Sequence, residues 1–377
     1  MTTVGIVGAG QLARMAHQAA IGLGVDLRVL AETPTDSAAK VMPGVHLGDY
    51  RDADDLRRFA KAVDVVTFDH ELPDPAHLAT LAEEGHVLRP APATKRFAQD
   101  KAHQRRELSR RGFATPAFAD VADIADVEAF AGDHGWPVVL KAPRGGYDGR
   151  GVWVVANTAE AADVIDRTGV LLAEALVPLV REVAVLVARN PSGHAVAWPL
   201  IETVQVSGIL RELVVPAPLA PDRSDQARSM GLRIAEAIDL AGVMAVELFD
   251  TGDELLINEL ACRPHNSGHW TIEGAVTSQF ANHLRAVLDW PLGETAALAP
   301  AVVTVNVLGR ADGTAPEEGL TRALAVPGAG VHLYGKTARP GRKLGHVTVV
   351  GDDVDDVRDR ARAAAAALGE PIDEEAS

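Results

Sequence analysis

Two glycine-rich turns that leave their strands in different ways constrain this chain more than any other feature. The first, Gly8-Ala9-Gly10-Gln11-Leu12-Ala13, follows an expected strand from Thr3 to Val7 and opens a helix. Further strands are expected from Asp26 to Leu30 and from Asp64 to Phe68, a βαβ pattern that predicts a parallel α/β domain. Glycines there let the backbone turn tightly, and the free N–H groups at the helix start attract an anion. Glu32 lies where dinucleotide-binding folds place the acid that reads a ribose, so this segment alone predicts an NAD-dependent oxidoreductase. The second turn, from Pro143 to Gly151, instead joins an expected strand over Val138 to Ala142 to another over Val152 to Val155. It lacks the Gly-Lys-Ser/Thr of a P-loop and no helix follows it, which excludes that fold. A strand, a loop containing Gly145, Gly146, Gly149 and Gly151, and a returning strand predict a flap that folds over phosphates, with Lys141 supplying a point charge.

The last third of the chain predicts a metal to go with those phosphates. Val243 to Phe249 reads as a strand, Asp250-Thr251-Gly252-Asp253 as a turn and Leu255 to Leu260 as the returning strand, with Glu247 and Glu259 on the two arms. An even pairing sum would put both carboxylates on one face, where like charges repel unless a cation sits between them. Magnesium suits such a pair, with phosphate oxygens and water completing its shell, so the hairpin predicts a nucleoside triphosphate nearby. The run from Asn258 to Trp270 is dense in hydrogen-bonding side chains beyond the needs of a loop. Within it His265 and His269 imitate a zinc pair, but Pro264 and the Asn-Ser-Gly run argue against the helix that would align them. A net charge of −16 disfavours nonspecific binding to nucleic acid or to anionic membranes, so a phosphate site has to be a local basic pocket.

Between the flap and the hairpin, Val170 to Glu174 reads as a strand running into Ala175-Leu176-Val177-Pro178, and Glu182 opens another. Such a strand end suits an adenine slot, where backbone groups around Ala175 and Val177 read the base edge and Glu174 or Glu182 accepts from the amino group or ribose. Near the C-terminus, the stretch Tyr334 to His346 carries Lys336, Arg339, Arg342 and Lys343, a concentration of cations that an acidic protein needs a reason to keep. The 377 residues, 47% hydrophobic and 4% aromatic, allow two or three domains. No apolar stretch approaches the roughly 20 residues needed to span a bilayer, and Val4 is reached without a charged leader, so a cytosolic enzyme is expected. Cys262, the single cysteine, excludes an intramolecular disulfide framework and a thiolate zinc cluster.

Lys141, the glycine flap, Glu174 to Glu182, Glu247 and Asn258-Glu259 occur in an order that resembles the ATP-grasp enzymes, and the resemblance extends over the whole chain. Within that superfamily Gly8 to Met15, the loop Gly145 to Gly151, the run Arg263 to Thr271 and the basic stretch Tyr334 to His346 resemble the 5-(carboxyamino)imidazole ribonucleotide synthetases. The resemblance implies a Rossmann-like parallel-sheet domain over 1–98, an ATP-grasp domain over 99–292 and a small β-rich domain with a terminal helix over 293–377. It implies ATP and Mg²⁺ as cofactors, 5-aminoimidazole ribonucleotide and bicarbonate as substrates, and a homodimer. Nucleotide contacts are implied for Lys101, Lys141, Gly146, Tyr147, Asp148, Gly149, Arg150, Gly151, Val152, Glu174, Ala175, Leu176, Val177, Glu182, Gln205, Asn258 and Glu259, with Glu247 and Glu259 holding the metal. Tyr147, Asp148 and Arg150 would face the ribonucleotide, and Lys336, Arg339, Arg342 and Lys343 would supply the grip on its phosphate. Asp148, Arg263, His265 and Asn266 would line the chamber where the carboxyl group is transferred. Three positions depart from the family pattern: Lys101 stands where many relatives have arginine, Gln205 where a histidine is usual, and Val66 to Glu71 replaces a more usual Phe-Glu-Phe-Glu-Asn run. Another ATP-grasp carboxylate ligase, or a formyl-transferring ribonucleotide enzyme, is the alternative within the superfamily.

Overall fold

The computed structural model describes residues 2–145, 151–206 and 208–372. Strands β1 (Thr3–Val7), β2 (Asp26–Ala31), β3 (Val45–Leu47) and β4 (Val65–Phe68) form a parallel sheet in the order β3-β2-β1-β4. All of β4 and nearly all of β1 are buried, as suits a parallel sheet covered on both faces. The helix Gln11–Leu23 leaves β1 through the first glycine turn. Its inner face, which includes Leu12, Ala13, Ala16 and Ala20, repeats at helical spacing and packs against the distant helix Gln279–Val287.

A second sheet is antiparallel, with β5 (Phe118–Val121), β6 (Val138–Lys141), β7 (Val152–Val155) and β8 (Leu171–Ala175) in the order β5-β8-β6-β7. The helices Ile124–His134 and Thr158–Thr168 pack on it, each started by a side-chain cap, Asp123 for the first and Asn157 for the second. Between β6 and β7 lies the second glycine turn, whose residues 146–150 are outside the described residues.

The third sheet is the frame of the molecule. It comprises β9 (Arg181–Arg189), β10 (Ala195–Ala197), β11 (Ile201–Val206), β12 (Ile209–Val215), β13 (Gly242–Asp250), β14 (Leu255–Ala261), β15 (Ala301–Leu308), β16 (Gly330–Leu333) and β17 (Lys343–Gly351). Its nine strands are antiparallel in the order β14-β13-β9-β11-β12-β15-β17-β16, with β10 on the edge of β9. Strand β9 is apolar almost throughout because both its faces are covered. Val183, Val185 and Val187 enter one core with the helix Pro221–Ala237, while Ala184, Leu186 and Ala188 enter another. The C-terminal strands extend this same sheet through the β12–β15 pairing rather than building one of their own. The helix Val354–Leu368, capped by Asp353, covers β15 and β17. No helix among the described residues is long and apolar enough to cross a membrane.

Candidate active site

Three neighbouring strands of the large sheet bring carboxylates to one face. Glu247 on β13 pairs directly with Glu259 on β14, although the turn by itself leaves an odd pairing sum, Asp250 opposite Leu255, which a register shift makes even. Glu247 also faces Ala184 on β9, which leaves Glu182 one alternation away on the same face. The register then slips: Leu248 opposes Ile257, so Asn258 is the extra residue of a β-bulge. The bulge lets two successive side chains reach cations in one cleft. Asn258 Oδ1 accepts from Lys141 Nζ at 3.2 Å, and Glu259 Oε2 meets Lys101 Nζ at 2.6 Å.

The carboxylates resist their own charge. Desolvation in the cleft, then Glu259 and Glu182, push the Glu247 carboxyl up to about 8 against the opposing pull of Lys101 and Lys343. Burial also raises Glu182, although Gln205 Nε2 donates to its Oε2 at 2.6 Å and counters the rise. Oxygen donors that repel one another suit a hard divalent cation, and the remaining coordination positions suit phosphate oxygens and water. Glu247 and Glu259 therefore fit magnesium.

Lys141 is held from behind. Its Nζ meets Glu174 Oε2 at 2.7 Å, and Glu174 Oε1 takes Arg105 Nε at 2.7 Å, with Arg105 and Glu174 buried. Burial pushes Lys141 down and Glu174 pulls it back; burial pushes Glu174 up, but Arg105 and Lys141 outweigh this and hold it below the usual carboxylate range. Both Glu174 oxygens contact cations, an arrangement that orients Lys141. The Ala175 N–H is similarly spent on the Ala117 carbonyl at 3.0 Å, which leaves the exposed Leu176 and half-buried Val177 as the strand end that remains.

The flap closes as a hairpin at its base, where the Ala142 N–H donates to the Gly151 carbonyl at 2.8 Å and Val152 pairs with Lys141. Gly146, Tyr147, Asp148, Gly149 and Arg150 lie outside the described residues. The entry to the flap is tied to the helix Lys101–Arg110, through Lys101 N–H to the Pro143 carbonyl at 2.9 Å and Arg144 to Asp100 at 3.0 Å.

The polar run after β14 borders the carboxylates. His265 Nε2 lies 3.5 Å from Glu247 Oε1, and His265 Nδ1 is 2.9 Å from Ser267 Oγ. The buried Gln279 amide clamps the His265 backbone from both sides, accepting its N–H at 2.9 Å and donating to its carbonyl at 2.7 Å. Arg263 pairs with Glu71 of the N-terminal domain at 2.8 Å. The Asn266 Nδ2 is buried with no hydrogen-bond partner among the described residues, a donor left for an acceptor such as an anion. His269 is buried against the rings of Phe280, Tyr334 and His346.

The basic stretch docks against the N-terminal domain. Lys336 Nζ donates to Gln11 Oε1 at 2.6 Å, and Ser37 Oγ donates to the Tyr334 carbonyl at 2.6 Å. Lys343 comes close enough to Glu247 to draw its carboxyl down. Arg342 is half-buried and donates to the Thr337 carbonyl at 3.0 Å, whereas Arg339 is exposed. Gly309 is required beneath this loop, since a Cβ there would lie 2.1 Å from the Arg339 carbonyl oxygen.

The first glycine turn is filled by the chain itself. Asp69 accepts from the Gly10 N–H at 2.5 Å and the Ala13 N–H at 3.1 Å, where a dinucleotide would put its pyrophosphate. A Cβ on Gly10 would come within 2.3 Å of Asp69 Oδ2, so the glycine is needed for this carboxylate. Glu32 is paired with Arg51. The expectation of a nicotinamide site is thereby overturned.

Comparison with known proteins accounts for all three parts. Residues 1–99 match the ribonucleotide synthetase preATP-grasp domain, 106–280 the ATP-grasp domain, and 302–360 the phosphoribosylaminoimidazole carboxylase C-terminal domain. N5-carboxyaminoimidazole ribonucleotide synthase of Mycobacterium tuberculosis is 48% identical over 372 residues, covering 96% of this chain and 86% of that protein. The chain belongs to the N5-carboxyaminoimidazole ribonucleotide synthase family. As an ATP-grasp ligase it uses ATP. A solved ADP complex of a synthetase of this family superposes with a TM-score of 0.89 at 34% identity, covering 96% of both chains. The Aspergillus clavatus synthase, solved with ADP and 5-aminoimidazole ribonucleotide, superposes with a TM-score of 0.88 at 29% identity, covering 97% of this chain and 98% of that one. Residues of the site that the sequence did not single out are Arg105, Glu71 and Gln279. Only Glu71 carried a signal, within the Val66 to Glu71 run.

Proposed function

We propose that this chain carboxylates 5-aminoimidazole ribonucleotide with bicarbonate at the expense of ATP, giving N5-carboxyaminoimidazole ribonucleotide, ADP and phosphate. The observation that carries the reading is the adjacency of two sites. The Glu247–Glu259 pair with Lys101 and Lys141 meets, through the His265–Glu247 contact, the anion-binding run Arg263 to Asn266. Lys141 and Lys101 spread the charge that develops on the γ-phosphate, and Glu174 keeps Lys141 charged while it does so. Glu247 and Glu259 would hold magnesium, which would supply charge neutralisation for the phosphates. A bicarbonate oxygen attacks the γ-phosphorus, the bond to ADP breaks, and carboxyphosphate forms. Arg263 and Asn266 hold that anion, with His265 oriented by the Gln279 clamp. The amine nitrogen then attacks the carboxyl carbon, phosphate leaves, and the nitrogen loses a proton; Asp148 is assigned to orienting the amine. Tyr147, Asp148 and Arg150 face the ribonucleotide, and closure of the flap excludes water from carboxyphosphate.

Lys336, Arg342 and Lys343 hold the 5′-phosphate, with Arg339 at the exposed margin. Gly146 to Val152, Leu176, Val177, Glu182 with Gln205, and Asn258 contact the nucleotide. The chain acts in the cytoplasm as a homodimer, divided at about 98 and 292. Bicarbonate labelled with ¹⁸O tests the route: one labelled oxygen should appear in the phosphate released. Unlabelled phosphate, with carboxylated product formed, would sink the carboxyphosphate step.

A further inference from the structure

The helix Lys101–Arg110 carries its two inward cations four residues apart, so both lie on one face. Lys101 reaches Glu259. Arg105, buried, spends its guanidinium on three partners. Its Nε meets Glu174 Oε1 at 2.7 Å, its Nη2 donates to the backbone carbonyl of Asn258 at 2.6 Å, and its Nη1 donates to Gln104 Oε1 at 3.0 Å. Asn258 is the bulged residue of β14, and its side chain returns to Lys141, which completes a closed ring: Arg105, Glu174, Lys141, Asn258. One planar fork therefore ties β8 of the small sheet to β14 of the large one. These are the two sheets that carry Lys141's partner and the metal-binding carboxylate.

We propose that Arg105 is a positioning residue for nucleotide binding, fixing Glu174 behind Lys141 and holding the Asn258 bulge that turns Glu259 into the cleft. The proposal rests on the ATP reading above. A lysine at this place keeps the charge but has a single nitrogen, which cannot span Glu174 and the Asn258 carbonyl together. The Glu174 carboxylate would then be free to rotate, and the bulge would lose its backbone anchor.

The test is R105K alongside E174Q, each measured for Mg·ADP affinity by calorimetry, for KM of ATP and of 5-aminoimidazole ribonucleotide, and for unfolding temperature. R105K is expected to weaken Mg·ADP binding and raise the KM for ATP by about tenfold or more, with the KM for the ribonucleotide within about twofold. E174Q keeps the shape and loses the charge, and carries the same expectation if R105K does not fold. Wild-type nucleotide affinity in both variants overturns the proposal, as does an equal loss toward ATP and ribonucleotide, the mark of a general structural defect. Calorimetry with Mg·ADP needs no turnover. A wild-type protein that binds the nucleotide but forms no carboxylated product would refute the reaction assigned above while leaving the Arg105 test decisive.

Discussion

Replacing Glu259 by glutamine is the most informative single perturbation of the proposed metal site. The substitution keeps shape and removes one of two paired carboxylates, whose mutual repulsion is visible in Glu247. Raising that carboxyl from 4.5 to about 8 corresponds to about 5 kcal/mol against its charged form, with desolvation the first cause and Glu259 the second. Two unit charges about 4 Å apart interact by about 4 kcal/mol at an effective dielectric of about 20, so a divalent cation loses about 8 kcal/mol of attraction when Glu259 is neutralised. Relief of the Glu247–Glu259 repulsion, about 3 kcal/mol at about 5 Å, returns part of this. The balance of about 5 kcal/mol exceeds a thousandfold, and because phosphate oxygens and water also hold the ion, a loss of at least about a hundredfold in apparent magnesium affinity is the working figure. The fold should survive. The Lys101 pair lost with Glu259 involves a carboxylate about a third exposed and is worth at most about 1 kcal/mol. The assay is ADP formation across a magnesium titration, with the unfolding temperature as control. A folded E259Q protein with the wild-type magnesium requirement would refute the assignment of this hairpin to the metal.

K336A should raise the KM for 5-aminoimidazole ribonucleotide by about tenfold or more and leave the KM for ATP within about twofold, since a phosphate contact is lost on one substrate only. An effect confined to ATP would exchange the two pockets. Acid should destabilise the fold through buried histidines. Burial drives His283 from 6.5 to about 3, and it pushes His269 and His346 well below their usual value. Because the folded values are depressed, the unfolded chain binds more protons, so this stability is full above about pH 6.5 and declines as the pH falls toward 3. His283 alone should cost about 2 kcal/mol at pH 5, and a urea midpoint at pH 5 equal to or above that at pH 7.5 would contradict the burial argument.

Local pattern made much of this legible. The glycine turn into a strand and the hairpin that carries Glu247 and Glu259 both follow from period and turn chemistry, but the turn leaves an odd pairing sum and the bulge makes these two residues direct partners. The bulge at Asn258 does not follow from them, because a register slip is decided by what packs on each side; nothing in Ile257-Asn258-Glu259-Leu260 announces it. Arg105 was invisible for a related reason. In a helix rich in Arg, Lys and Glu, one buried guanidinium looks like its solvated neighbours until the fold brings Glu174 and Asn258 to it. Glu174 reads as a nucleotide ligand because strand ends often are, and the fold adds ion pairs to Arg105 and Lys141 that the local sequence does not show. The first glycine motif, which taken alone reads as a dinucleotide site, attracts Asp69 from the end of the neighbouring strand β4. Likewise, the cations of Tyr334 to His346 are clustered in sequence but sorted in space, with Lys336 held to Gln11 and Arg339 left exposed.

The most direct test of the central claim is ADP production by the purified protein with magnesium and bicarbonate, with and without 5-aminoimidazole ribonucleotide, with carboxylated product followed in parallel. The account predicts that ADP and N5-carboxyaminoimidazole ribonucleotide rise together, one for one, when the ribonucleotide is present. ADP formation that ignores the ribonucleotide and responds to a different acceptor would contradict it.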